Sequence, residues 1–344
     1  MNPTPPPTPS RTPSRTRFRL AVAGGALLVL TGCASLPAVQ APATGDQVPL
    51  VVQPAQATRV VEQVQAVLAD ASDPAAVDLD VLAARTEGPE FDLRRAAATT
   101  ARAGATPPAT GAADDLDPQT AVVPRTAGWP RWFATVTEDG ADGAPSLVVL
   151  RSADAREPYR VWASPSLLPG ASLPTTGAPS DGVAPVALDE DTNLPATPAD
   201  VASRYADVLL AGDGSAFAAE FAPDSYREGT TAALAAQTAA LEASGGSLTQ
   251  EREVLPDSVL ASRTRDGGAL VVAGYRWTVV SRGPDGGVPG PLDPALAALA
   301  GTDRALAATV VREEVVVFSV PPAGAGSIGV VAVQSGPVAV DAGS

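Results

Sequence analysis

The chain has 344 residues, of which 23 are basic and 38 acidic, for a formal net charge of −15, and it holds neither histidine nor lysine. That charge repels phosphate backbones and sets nucleic acid aside as a partner. Without histidine there is no Ser-His-Asp or Cys-His machinery, and without lysine no Schiff base or P-loop contact.

The first 32 residues read as a leader. Arg11, Arg15, Arg17 and Arg19 stand there with no acidic residue among them, so residues 33–344 carry 19 arginines against 38 acids. Residues 20–30 are an uninterrupted apolar and glycine run. As a helix it covers about 16 Å, too short for a bilayer core of about 30 Å. Leu30-Thr31-Gly32-Cys33 comes next. It resembles the lipobox of bacterial lipoproteins, and the resemblance implies cleavage before Cys33 and a diacylglycerol group on its sulfur, with a palmitate-type third chain on the new amino terminus. Cys33 is also the only cysteine, so no intramolecular disulfide competes for it. The protein is therefore expected on the extracytoplasmic face of the cell membrane, held there by covalent lipid.

Residues 33–56, rich in Pro, Ala, Thr and Gln, read as a flexible tether. Val60, Val61, Val64, Val67 and Leu68 then recur at helical spacing and predict a helix over 58–70. Asp73-Pro74 opens a second helix through Ala84, and a third runs over 89–102. Residues 104–118 are loop. Strands are predicted over 131–138, 146–151 and 157–163, with Asp139-Gly140 and Asp142-Gly143 as turns.

Residues 169–196 hold many prolines and the acidic run Asp189-Glu190-Asp191, and they read as a linker. Thr197-Pro198-Ala199-Asp200 is a helix start, with Val201, Tyr205, Val208 and Leu209 as its buried face. A short helix over 213–222 precedes a long one over 223–243, the latter stopped by Gly245-Gly246. Strands are predicted over 248–255, 258–263, 269–282, 304–320 and 328–334. Alternation falters at Arg312-Glu313-Glu314, where a strand this long has to bend.

The two halves resemble each other: Val60, Val64, Val67 and Leu68 fall on Val201, Tyr205, Val208 and Leu209 at an offset of 141. The expected architecture is α+β in two tandem domains, 57–168 and 197–336, each with helices packed on an antiparallel sheet, and a tail over 337–344. Helices followed by long strands resemble the cystatin-like group, including the nuclear-transport-factor-type cone. The mature chain also resembles a group of actinobacterial lipoproteins of unknown function, on the strength of Trp129-Pro130-Arg131-Trp132-Phe133, Glu157-Pro158-Tyr159-Arg160-Val161-Trp162 and Leu167-Leu168-Pro169-Gly170.

Gly324-Ala325-Gly326-Ser327-Ile328-Gly329 fits G-x-G-x-x-G, but strand rather than helix comes after it, so it reads as a hairpin loop. The carboxylates Asp114, Asp115 and Asp117, and the run at 189–191, lack calcium-loop spacing and read as solvated charge. No metal or cofactor is expected. Trp132, Tyr159, Trp162, Tyr275 and Trp277 are the candidate ligand-binding set, with Tyr275 and Trp277 on one strand face. The expected function is non-enzymatic binding or scaffolding of an envelope protein, glycan or lipid. The rival is a carrier or enzyme using a cone-shaped apolar pocket in the second domain.

Overall fold

A computed structural model describes residues 48–108, 118–137 and 144–343. The leader, Cys33, most of the tether, the acidic cluster at 114–117 and the turns at 139–143 lie outside the described residues. Chain order runs through α1 (Pro54–Asp70), α2 (Leu79–Ala83), α3 (Gly88–Arg102), β1 (Pro118–Val122), β2 (Arg131–Thr137), β3 (Ser146–Ser152), β4 (Arg160–Ala163) and β5 (Ser166–Leu167). The second half adds α4 (Pro198–Ala211), α5 (Ser225–Ala243), β6 (Ser247–Val254), β7 (Leu260–Arg263), β8 (Ala269–Arg282), β9 (Gly290–Pro291), α6 (Pro294–Ala300), β10 (Arg304–Ala305), β11 (Ala307–Val320) and β12 (Gly329–Gly343). The class is α+β.

Helix starts obey local chemistry. α1 begins at Pro54, four residues ahead of the predicted start, because proline's fixed φ suits the first turn. Thr197 caps α4 by accepting from Asp200 N at 3.0 Å, and Asp224 caps α5 by accepting from Arg227 N at 2.7 Å. Asp200 does not reach back to its cap; it pairs with Arg204 one turn on, at 3.2 Å. The tether ends earlier than its composition suggests. Val51 and Val52 are buried, and Val51 N donates to Pro124 O at 3.0 Å.

The strands of both halves join in one ten-stranded sheet among the described residues, in the order β1-β2-β3-β5-β12-β11-β8-β6 with β4 on β3 and β7 on β8. β9 and β10 pair separately. Two independent sheets, as the tandem reading requires, are not formed. Nor is 169–196 a bare linker. Val183 N donates to Val123 O and Arg125 N to Val183 O, both at 2.9 Å; Arg263 N donates to Ala184 O at 2.9 Å and Val186 N to Ala261 O at 3.4 Å. Residues 183–186 thus bridge the β1 edge to the β7 edge and close the sheet on itself, which satisfies backbone groups an open edge would leave bare. Val48–Ser344 forms a single compact unit.

Closure gives every strand an inside and an outside. Inside, Trp132, Leu147 and Val149 of the first half meet Leu270, Val315 and Val317 of the second. Outside, Phe133, Val148 and Leu150 pack on Val61, Val64 and Leu68 of α1, while Val271, Tyr275 and Phe318 pack on Val201, Tyr205 and Val208 of α4. The two helices matched at an offset of 141 therefore each cover the outer face of their own half. Each such buried side chain contributes roughly 1.5–3 kcal/mol. α3 packs against β4, β11, β12 and α6. Gly336 permits this approach, because a Cβ there would lie 2.7 Å from Leu93 Cδ2.

The bend at 312–314 is real. Val311 pairs with Ala339 and Arg312 with Pro337, so β12 carries one extra residue there. A proline at a bulge gives up no ladder hydrogen bond. β12 then continues to Gly343, where a tail is expected, and pairs with the start of β11.

Candidate functional site

A polar cleft of about 330 Å³ opens where the two halves meet, lined by Glu87, Pro130, Arg151, Ala153 and Asp257. Trp162 is the pivot that assembles it. Gly88 starts α3 with φ +54, and a Cβ there would stand 2.8 Å from the Trp162 ring. On the other side, Gly274 of β8 would put a Cβ 3.2 Å from Trp162 Cζ2 and 3.1 Å from Ser258 Cβ. Glycine at both positions lets α3 and the β6–β7 turn close on one indole. Glu87 comes from the first and Asp257 from the second.

Each charged wall residue is fixed through its backbone. Glu87 N donates to Val161 O at 2.9 Å, and Val161 N to Arg85 O at 2.8 Å, which ties the α2–α3 connection to β4. Glu87 is the N-cap of α3 but makes no side-chain capping bond. Its nearest cation is Arg160, 3.8 Å away, which is itself held by Glu157 at 2.8 Å. Asp257 adopts φ +52 in a turn anchored by Ser258, whose hydroxyl donates to Leu255 O at 2.6 Å. Arg151 lies over the Trp162 ring, 5.2 Å from its centroid. Its guanidinium makes no hydrogen bond and no ion pair with any described residue.

The electrostatics derive from this geometry. Burial pushes the Glu87 carboxyl above its ordinary value, against the pull of Arg151 and Arg160. Burial also draws Arg151 below its ordinary value, opposed by the fields of Glu87 and Asp257. A guanidinium with free donors, flanked by two carboxylates, can hold an anionic group and a cationic group side by side. Trp129, next to Pro130, is 39% exposed, with the Arg131 guanidinium 4.5 Å from its ring centroid.

The predicted aromatic set does not surround a cavity. Trp132 and Trp162 fill the barrel interior. Tyr159 packs under α1, donates to Val51 O at 3.0 Å and has its hydroxyl pushed up to about 12 by burial. Tyr275 donates to Ala202 O at 3.0 Å, and Trp277 Nε1 to Gln250 Oε1 at 3.0 Å. Trp162 touches the cleft through Arg151, which lies over its ring, and Trp132 stands opposite Arg151 on the neighbouring strand. Among the described residues both faces of the long strands carry packed side chains: α4 covers the outer face, and Trp132, Ala134 and Leu147 lie against the inner one. An apolar hollow of about 200 Å³ lies elsewhere, under α1 between Ala57, Val61, Ala121 and Phe133.

Glu87, Arg151 and Asp257 escape sequence reading. Each is a single charge at the end of an element, with no motif around it. Of the acidic run, Glu190 is tied to Arg263 at 2.6 Å. Among the described residues no cluster of His, Cys, Asp or Glu could hold a metal ion. The G-x-G-x-x-G segment is the loop joining β11 to β12. Among the same residues no helix is long and apolar enough to cross a membrane.

The fold is α+β, a closed antiparallel sheet with a mixed-charge cleft between its two halves. The chain belongs to the family described as a domain of unknown function, DUF8094, whose model matches residues 48–338. No curated protein and no solved structure matches it.

Proposed function

We propose that this chain is a lipid-anchored extracytoplasmic protein that binds a ligand, without chemical conversion, in the cleft at Arg151. The binding reading rests on one observation: the Arg151 guanidinium faces an open cleft without a hydrogen bond or ion pair to any described residue, although two carboxylates stand near it. The anchor reading is supported by the arginine-rich start, the apolar run and Leu30-Thr31-Gly32-Cys33. Together they make an actinobacterial-type lipoprotein that holds its binding domain close to the membrane, on a tether ending near Val48.

Two measurements test it. Cys33→Ser is expected to leave the protein unacylated and released from membranes; undiminished membrane retention of that variant overturns the anchor. Soluble 48–344 protein titrated with envelope extract is expected to shift NMR resonances of Glu87, Arg151 and Asp257. Unchanged resonances at all three overturn the cleft as the binding site.

A further inference from the structure

We infer that the Arg151 cleft takes a small zwitterion, a molecule bearing both a carboxylate and an ammonium group, such as a free amino acid or the end of a short peptide. The inference rests on the cleft being the binding site and names its ligand class. Three charges face the space: the Arg151 guanidinium, and the carboxylates of Glu87 and Asp257 brought in from opposite halves. Arg160 adds little, since Glu157 holds it at 2.8 Å.

The sign pattern decides between ligand classes. A simple anion drawn to Arg151 meets two carboxylates and loses most of that attraction. A simple cation drawn to the carboxylates meets the guanidinium. A molecule carrying both charges gains on each side, its carboxylate at the guanidinium and its ammonium at the two carboxylates. Arg151 supplies planar, paired N–H donors that match a carboxylate, and its ring contact with Trp162 holds that plane in place. Among the described residues, neither the Arg151 nor the Asp257 side chain has a competing hydrogen bond to break first. A volume of about 330 Å³ suits an amino acid or dipeptide rather than a folded partner.

The test is calorimetric and NMR titration of soluble 48–344 protein with glycine, β-alanine and glycylglycine, whose two charges lie at increasing separations. Acetate and methylammonium are the single-charge controls. At least one zwitterion is expected to bind about tenfold or more tighter than either control. Arg151→Gln and Asp257→Asn are each expected to remove that advantage while melting near the native temperature. Arg151→Lys, which keeps the charge without the fork, is expected to bind in between and covers the case in which Arg151→Gln does not fold. Acetate binding as tightly as the zwitterions overturns the inference in favour of a plain anion site. Zwitterions that leave the cleft silent, while envelope extract still shifts its resonances, overturn the ligand class and leave the cleft as a binding site. Silence towards both overturns the two together.

Discussion

Two buried ionic clusters flank the long strands, one on each face, and they differ in how completely they are satisfied. On the inner face Glu90 of α3 accepts from Arg94 Nε at 2.7 Å, from Ser164 Oγ at 2.6 Å and from Gln334 Nε2 at 2.8 Å. Gln334 Oε1 in turn accepts from Ser164 N at 2.9 Å. On the outer face Arg252 Nε lies 2.8 Å from Glu314 Oε2 and Nη2 donates to Oε1 at 3.2 Å, while the Tyr226 hydroxyl also donates to Glu314. Among the described residues Arg252 Nη1 and Arg312 Nε have no hydrogen-bond partner. The Trp277 ring takes up part of this charge, lying 4.3 Å from the Arg252 guanidinium and 5.3 Å from that of Arg312. The satisfied cluster joins three segments far apart in sequence and locks α3 against β12. The other holds two cations against one carboxylate, and the helix lying over it, α5, buries none of its residues.

The largest expected effect comes from that imbalance. Glu314→Gln leaves Arg252, whose side chain is fully buried, without a counter-charge. The expected loss is about 3–5 kcal/mol in urea unfolding. A loss below about 1 kcal/mol would show that the Trp277 ring already offsets the charge, and the contrast between the clusters would collapse.

Next comes a dependence on pH at Glu313, one residue away but on the opposite face. Burial and Asp92 push its carboxyl up to about 7, against Arg276 and Arg95. The folded chain therefore holds a proton that the unfolded chain releases near its ordinary value of 4.5. Between those values the folded state binds more protons, so stability falls as pH rises, by up to about 3 kcal/mol, and levels off above pH 7. Glu313→Gln is expected to flatten this slope. A variant that keeps it assigns the titration to another group.

Glu90→Gln ranks third, at about 1–3 kcal/mol. An amide has one donor end. Turned one way it meets Arg94 Nε; turned the other it meets Gln334 Nε2, so one opposition of donors is unavoidable. Arg94 is 7% exposed and can recover water, unlike Arg252. Equal losses for the two glutamines would erase the ranking.

How much of this was legible varies by element. Thr197-Pro198 announces its helix because capping is local chemistry, whereas the Asp224 cap sits one residue inside the expected start at 223. The bulge at 312–314 shows as a break in alternation. Closure was half-written: β2 alternates Trp132, Ala134 and Val136 with Phe133 and Thr135, both faces largely apolar, which an antiparallel sheet with one wet face would not tolerate. The closing bonds at 183–186 are backbone bonds, and proline-rich composition hides them. The cleft was not legible, since Glu87, Arg151 and Asp257 meet only because two glycines let α3 and a distant turn approach Trp162.

The smallest effect is the sharpest probe of the comparison. α5 rests on β6 through half-buried Leu234, Thr238 and Leu241, while α3 buries Leu93, Ala96, Ala97 and Ala98. Opening α5 exposes little apolar surface, so its amides are expected to exchange hydrogen well before those of α3 and before global unfolding. Leu234→Ala should then cost under about 1 kcal/mol globally yet speed exchange along α5 alone. Should α5 instead exchange in step with α3, the Tyr226–Glu314 contact holds it as firmly as the satisfied cluster holds α3, and the spare donors on Arg252 are no sign of a looser face.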